Sequence, residues 1–134
     1  MKKRLITFAA MMAFIIAPVM SQKSFYDFTV ETIDGHQFSF ADLKGKKVII
    51  VNTASKCGHT PQYKDLELLH KAYKQKVVII GFPANNFMGQ EPGTNAEIME
   101  FCDSKYGVTF PMMAKISVKG ADMHPLYQWL TKKS

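Results

Sequence analysis

Two short runs of β-branched residues constrain the fold of this chain more than any other feature. The runs are KKVIIVNTA (residues 46–54) and KVVIIGFPA (residues 76–84). Continuous runs of this kind are typical of strands that are buried on both faces, and such strands usually pair in parallel. Parallel neighbours need a crossover connection, normally a right-handed one through a helix. The pattern therefore predicts an α/β fold built on a strand–helix–strand unit.

The connecting helix is indicated by Leu66, Leu69 and Tyr73, which recur on one helical face. Thr60 is the predicted N-cap, and Pro61 is the predicted first helical residue, where its missing N–H costs nothing. A second helix is predicted over residues 94–106, where Thr94 and Glu97 have the spacing of a capping box. In that second helix, Ile98, Phe101 and Cys102 share the apolar face, and Gly107 follows the last turn.

Smaller elements surround this unit. Residues 25–40 alternate apolar and polar side chains around Asp34-Gly35, which predicts a β-hairpin. Residues 112–118 predict a strand, and residues 125–132 predict a short helix. The 134 residues fit one domain.

The N-terminal segment has the pattern of a secretory signal peptide. Basic residues at positions 2–4 precede an apolar run over residues 5–17 and a polar break. The apolar run is short for a membrane span. We therefore expect a signal peptide at residues 1–21, an exported domain at residues 22–134, and the bacterial periplasm as its compartment. An uncleaved membrane anchor is the alternative.

The charge of the chain does not favour a nucleic-acid partner. The net charge of +6 falls to +3 without the signal peptide, because 14 basic residues then oppose 11 acidic ones. The lysines are scattered among acidic residues and form no basic stripe. We expect a solvated surface, no nucleic-acid partner, and no stable membrane association after signal cleavage.

Cys57 is the strongest candidate for chemistry. It lies in VNTASKCGHTPQY (residues 51–63), between a predicted strand and a predicted helix, where sites gather in open α/β sheets. The free N–H groups of a helix start, together with Lys56, favour the thiolate, which is the nucleophilic form. The alternative is that Cys57 is a small buried residue without chemistry.

Cys102 allows two interpretations from the residues alone. The first is core packing on the inner face of its helix. The second is a structural disulfide with Cys57, since an exported protein with two cysteines invites one. Closing that 45-residue loop would stabilise the fold by roughly 4 kcal/mol. It would also consume the Cys57 thiol, whose thiolate form its surroundings favour.

GFPANNFMGQEPGTN (residues 81–95) is a long polar loop, a kind of segment that is often functional. Gln90 can offer its amide to a sulfur anion or a peroxide oxygen. The alternative is that Asn85, Asn86 and Gln90 only satisfy the loop backbone. The histidines and cysteines lack the paired spacing of a zinc site, so we expect no metal and no cofactor.

Three segments resemble successive signatures of the glutathione peroxidase family. They are VNTASKCGHTPQY, GFPANNFMGQEPGTN and FCDSKYGVTFPMMAKI (residues 101–116), in the family's order and with suitable spacing. The resemblance covers roughly residues 24–130. It implies a thioredoxin-like fold, with a parallel or mixed central sheet flanked by helices. It also implies reduction of hydrogen peroxide and organic hydroperoxides by thiol electrons.

The resemblance assigns roles to three residues. Cys57 matches the peroxidatic cysteine, Gln90 matches the glutamine of the catalytic tetrad, and Cys102 matches the resolving cysteine of some members. The implied cycle forms a sulfenic acid at Cys57 and then an internal disulfide, which a thioredoxin-like protein or glutathione reduces. Because Cys102 is predicted to face the core, its helix would have to loosen locally.

The resemblance also predicts a domain that is incomplete at its C-terminus. Relatives continue beyond the PLYQWL helix into a Trp-Asn-Phe motif, which supplies the tetrad's Trp and Asn, and into further strands. Trp129 belongs to the preceding helix, so we expect it to pack rather than to catalyse. Two alternatives to an active peroxidase therefore stay open. They are a catalytically impaired fragment and a redox-sensing module with a Cys57–Cys102 disulfide.

Overall fold

The computed structural model describes residues 23–132, so the predicted signal peptide lies outside the described residues. In chain order, the elements are β1 (Thr29–Glu31), β2 (Gln37–Ser39), β3 (Lys47–Thr53), α1 (Tyr63–Tyr73), β4 (Val77–Pro83), α2 (Asn95–Tyr106) and α3 (Pro125–Thr131). Short 3-10 helices lie at Phe25–Asp27, Phe40–Leu43 and Thr60–Gln62. Within these residues, no helix has the length and apolar character that crossing a bilayer requires.

The predicted strand–helix–strand unit is the centre of the fold. Strands β3 and β4 pair in parallel, from Lys47 opposite Val77 to Thr53 opposite Pro83. Strand β4 is buried over most of its length, as its composition predicts. Strand β3 is not: most of its residues are half-buried or exposed, and Ile49 is 37% exposed. Among the described residues β3 pairs only with β4, which explains the difference.

The sheet is extended on the other side of β4 by a short segment and the predicted hairpin. Strands β1 and β2 pair antiparallel, as expected. The strand predicted over residues 112–118 is wrong. Only single bridges form, from Met112 to Gly81 in parallel and from Met113 to Thr32 in antiparallel orientation.

Beyond Met113 the backbone N–H groups are divided between strand and loop partners. Those of Ala114 and Ile116 donate to the carbonyls of Glu31 and Pro83, at 2.9 and 3.1 Å, whereas two others do not reach a strand. The N–H of Lys115 donates to the side chain of Asn95, and the N–H of Val118 donates to that of Asn86. These loop side chains take donors that a neighbouring strand would otherwise use.

Helix α1 packs against β4 and α2, but it begins later than predicted. A 3-10 turn at Thr60–Gln62 precedes it, and Thr60 does not cap it. The Thr60 hydroxyl is instead engaged by the preceding turn. Tyr73 is 52% exposed at the helix end, so its predicted place on the buried face is also wrong. The buried residues of α1 are Tyr63 and Glu67.

Helix α2 forms as its sequence predicts. The Glu97 N–H donates to the Thr94 hydroxyl at 3.3 Å, and the Thr94 N–H donates to the Glu97 carboxylate at 2.7 Å. Gly107 ends the helix in the left-handed conformation, with φ of 56°. Ile98 and Cys102 are its buried residues. The short α3 also forms where it is predicted.

The core lies on both faces of β4, because successive side chains of a strand point to opposite sides. Ile79 packs in one cluster with Tyr63, Ile98, Cys102, Phe110 and Met112. Ile80 and Phe82 pack in the other cluster, which includes Phe40, Leu126 and Tyr127. Trp129 packs against Phe25 and Phe28, with its indole N–H on the Lys23 carbonyl at 2.7 Å. This is the packing role that the sequence predicts.

Candidate active site

Cys57 lies in the turn that connects β3 to the 3-10 helix before α1. Its thiol is free and half-buried. The backbone N–H of His59 donates to the Cys57 sulfur at 3.4 Å, and the N–H of Cys57 donates to the Thr60 hydroxyl at 2.9 Å. Cys57 lines a small pocket of about 60 Å³, together with Ala54, Tyr63 and neighbouring residues. The turn thus holds a reachable thiol with a donor directed at its sulfur.

Gln90 is joined to the turn of Cys57 through the backbone. The N–H of Lys56 donates to the Gln90 carbonyl at 3.0 Å, and the Gln90 side chain is half-buried. The loop is fixed on the other side by the Asn85 side chain, which accepts from the Glu91 N–H at 2.9 Å. The structure therefore brings the segments of Cys57 and Gln90 together, although they are far apart in sequence.

Cys102 occupies a different environment. Its side chain is 3% exposed, its thiol is free, and burial raises the pKa of that thiol. It lines a groove of about 620 Å³ with Ile33, Phe110 and other residues, whereas Cys57 lines the small pocket beyond β3. The two cysteines are not bonded to each other, and their thiols do not share a pocket.

Tyr63 lies between these two environments. It lines the pocket of Cys57, and its side chain packs in the same buried cluster as Cys102. Its ring stacks on Phe110 and contacts Tyr106, with centroids 6.4 and 5.4 Å away. Burial strongly raises the pKa of Tyr63, so its hydroxyl is protonated at neutral pH. The sequence patterns predicted Tyr63 neither as a core residue nor as a site residue.

Glu91 is the second residue that sequence reasoning missed. It is 0% exposed, and both of its carboxyl oxygens are buried without a hydrogen-bond partner in the described part of the chain. Burial raises its pKa, against the opposing effects of Ser55, Lys115 and Lys56. A glutamate in a polar loop has the pattern of a solvated side chain, so local sequence carries no signal of this burial.

The chemical group that this turn presents is the thiol of Cys57 itself. His59 contacts the Cys57 sulfur through its backbone, and its side chain is exposed. Over residues 23–132, no three His, Cys, Asp or Glu side chains converge as metal ligands would.

Comparison with known proteins assigns the chain to a family. The family model described as glutathione peroxidase matches residues 25–131. The chain belongs to the glutathione peroxidase family. Over 107 residues it is 55% identical to a glutathione peroxidase-like peroxiredoxin of Schizosaccharomyces pombe, covering 79% of this chain and 68% of that protein. It is also 54% identical over 112 residues to a glutathione peroxidase of Lactococcus lactis, covering 83% and 71% of the two chains.

Solved structures of glutathione peroxidases confirm the thioredoxin-like fold. The crystal structure of Trgpx in its apo form superposes with a TM-score of 0.64 at 43% identity. The match covers 85% of this chain and 67% of Trgpx. The glutathione peroxidase fold predicted from the three sequence signatures is therefore correct.

Proposed function

We propose that this protein reduces hydroperoxides with thiol electrons, using Cys57 as the nucleophile. The observation that carries the proposal is the position of the Cys57 thiol, half-buried at the end of a parallel strand with the His59 N–H at its sulfur. Family membership supports the reaction class, because the relatives are named glutathione peroxidases and glutathione peroxidase-like peroxiredoxins.

In the first step, the Cys57 thiolate attacks the peroxide O–O bond. One oxygen stays on sulfur as a sulfenic acid, and the other leaves as water or an alcohol. Gln90 is the proposed polarising amide, since the Lys56–Gln90 backbone hydrogen bond holds its loop against the turn of Cys57. A hydrogen bond from the amide would stabilise the charge that develops on the leaving oxygen.

In the second step, Cys102 condenses with the sulfenic acid and forms a disulfide. The two thiols lie in different pockets, so α2 must open locally before the sulfurs can meet. A thioredoxin-type protein is the proposed reductant of that disulfide, in line with the peroxiredoxin names of relatives. Glutathione is the alternative donor.

The proposed place of this reaction is outside the cytoplasm, in the bacterial periplasm. The support is the basic, apolar and polar order of residues 1–22, which is that of a signal peptide. Intact mass of the protein isolated from its native cells would test this directly. A mature N-terminus at Gln22 is expected, and a retained segment 1–21 would contradict it.

The direct test of the peroxidase proposal is intact mass spectrometry of the reduced protein after a stoichiometric dose of hydrogen peroxide. Rapid loss of the mass of two hydrogens is expected, with both thiols becoming inaccessible to alkylation. A protein that is folded by circular dichroism but keeps both thiols free would refute the proposal. A disulfide that forms but cannot be reduced without unfolding would favour a structural bridge instead.

A further inference from the structure

The loop that carries Gln90 contains a strained turn. This Gln90 loop (residues 84–94) connects β4 to α2. Met88 and Gly89, directly before Gln90, have φ of 56° and 65°, in the left-handed region. That region is unfavourable for a residue with a side chain, and Met88 is 92% exposed, so its own packing offsets little of the cost. Contacts from other segments are therefore needed to fix the loop.

Lys115 supplies such a contact. Its ammonium donates to the Glu91 carbonyl at 3.3 Å and to the Gly93 carbonyl at 2.5 Å. Hydrogen bonds from a charged donor are stronger than those between neutral groups. Two carbonyls that closely follow Gln90 in the chain thus converge on one ammonium group.

The backbone of Lys115 is itself fixed on three sides. The N–H groups of residues 114 and 116 donate to carbonyls of β1 and β4, at 2.9 and 3.1 Å. The N–H of Lys115 donates to the side chain of Asn95, the first residue of α2, at 2.9 Å. Because its backbone is tied to the sheet and to α2, Lys115 is a rigid support for the loop that its side chain binds.

The charge of Lys115 is directed at the backbone rather than at a carboxylate. Lys115 is half-buried, and among the described residues it forms no ion pair. Even the carboxyl oxygens of Glu91, the residue whose carbonyl it binds, make no hydrogen bond in this part of the chain. The bonds of this ammonium therefore order the Gln90 loop.

The carbonyls that Lys115 binds lie close to the contact between the Gln90 loop and the turn of Cys57. The Lys56 N–H donates to the Gln90 carbonyl at 3.0 Å, and the two carbonyls that Lys115 binds follow within three residues. A polarising amide acts only within hydrogen-bond reach of the leaving oxygen. A displacement of about 1 Å can cost about 100-fold in rate.

Resting on the function proposed above, we propose that Lys115 is a positioning residue for the first step of the cycle. Its ammonium holds the carbonyls of Glu91 and Gly93, and it thereby keeps the Gln90 amide at the oxygen that leaves when the Cys57 thiolate attacks the peroxide. Lys115 touches neither the thiol nor the peroxide in this role, and the proposal adds no covalent step to the cycle.

The test compares two reactions of the same thiol. Oxidation of Cys57 by hydrogen peroxide needs the thiolate and a group that stabilises the leaving oxygen. Alkylation by iodoacetamide needs the thiolate, but its iodide leaving group does not depend on the Gln90 amide. Peptide mass spectrometry measures the loss of the Cys57 thiol in both reactions. A residue that only stabilises the fold, or only favours the thiolate by its charge, should change the two rates together.

Lys115→Met keeps the length of the side chain and removes the donor. We expect its rate with hydrogen peroxide to fall by about 10- to 100-fold, whereas its alkylation rate should be unchanged. Lys119→Met is the matched control. Lys119 is exposed, and its ammonium lies 5.8 Å from the centre of the Phe87 ring in the same loop. This variant removes a charge beside the loop but leaves the Lys115 bonds, so both rates should match those of the wild type.

A double variant tests whether Lys115 acts through Gln90. In Gln90→Ala the polarising amide is absent, so the rate with hydrogen peroxide should already be low. Adding Lys115→Met should lower that rate little further, because the effects of residues that act as a unit are not additive. A second fall as large as the one in the wild-type background would overturn the positioning role.

The outcomes separate this inference from the proposed function. If wild-type Cys57 forms no sulfenic acid that dimedone traps, the proposed function fails first. If it does, the role of Lys115 is refuted when Lys115→Met keeps the wild-type rate with peroxide, or when it loses both reactions in equal proportion. If Lys115→Met does not fold by circular dichroism, Lys115→Gln is judged by the same criteria. Its side chain stays polar, but it is uncharged and one bond too short to replace the ammonium.

Discussion

The Thr60 hydroxyl accepts a hydrogen bond from the Cys57 N–H at 2.9 Å and donates one to the Ala54 carbonyl at 2.8 Å. Thr60 is 8% exposed, so both bonds lie away from water. One side chain therefore closes the turn on which the proposed nucleophile sits. The residue that resembles a helix cap in the sequence is a brace for the turn before the helix.

Loss of the Thr60 hydroxyl should lower both the stability of the fold and the reactivity of Cys57. Thr60→Val keeps the shape but leaves the Cys57 N–H and the Ala54 carbonyl unpaired, which should cost about 1–3 kcal/mol of unfolding free energy. Urea unfolding measures that loss, and the rate of sulfenic acid formation should fall with it. Thr60→Ser keeps the hydroxyl and should retain most of both properties. Equal stability of Thr60→Val and the wild type would show that the hydroxyl does not hold the turn.

The two cysteines should differ in the step that each variant blocks. Cys57→Ser should abolish peroxide consumption, because the nucleophile is lost. Cys102→Ser should still form the sulfenic acid but should not be recycled by a thioredoxin-type donor. Peroxide consumption coupled to a thioredoxin system measures both. Full turnover by the Cys57→Ser protein would contradict the assigned nucleophile.

Glu67 should stabilise the fold in a pH-dependent manner. It is 4% exposed, and it accepts from the Thr109 N–H at 2.7 Å and from the Thr109 hydroxyl at 2.5 Å. Lys71 lies 3.1 Å from the same carboxylate. Burial alone would raise the pKa of Glu67, but the bonds from Thr109 and Lys71 outweigh it and lower the pKa. The carboxylate thereby links α1 to the segment after α2.

The sign of the pH effect follows from that lowered pKa. The stabilisation by Glu67 is present above the pKa of an unfolded glutamate, and it is lost as pH falls through the lower folded value. Glu67→Gln should lose about 1.5–3 kcal/mol at neutral pH, and its difference from the wild type should shrink in acid. Urea unfolding of both proteins at neutral pH and at acid pH checks this. Lys71→Met should change stability by less than about 1 kcal/mol, because that lysine is exposed. A gap that stays constant with pH would contradict the role given to the Glu67 carboxylate.

Gly81 in β4 should be intolerant of a side chain. A Cβ atom at Gly81 would lie 2.4 Å from the Met112 sulfur and 3.2 Å from the Phe110 ring. Gly81→Ala should therefore cost about 1–3 kcal/mol through overpacking. Shortening Met112 to alanine should relieve the clash, so the double variant should lose less stability than the two single losses together. Strict additivity in thermal or urea unfolding would mean that the two residues do not compete for this space.

The segments that could be predicted are those in which local chemistry decides the conformation. Thr94, Glu97 and Gly107 define the ends of α2 through bonds and dihedral angles within a few residues. The run of β4 is apolar enough to require burial in any compact arrangement. By contrast, residues 112–118 contain apolar residues suited to a strand, but Asn95 and Asn86 from distant segments accept the N–H groups of Lys115 and Val118.

The candidate site shows the same difference between features set by local sequence and features set by contacts from distant segments. Sequence by itself determined the place of Cys57 after a parallel strand and the family signatures, because strand composition and motif spacing are local properties of the chain. Only the tertiary structure decided that Thr60 braces the turn, that Tyr63 packs in one cluster with Cys102, and that Glu91 is shielded from water. Burial and hydrogen-bond partners are set by which segments the fold brings together, and no local pattern in a polar loop records the neighbours that its side chains will meet.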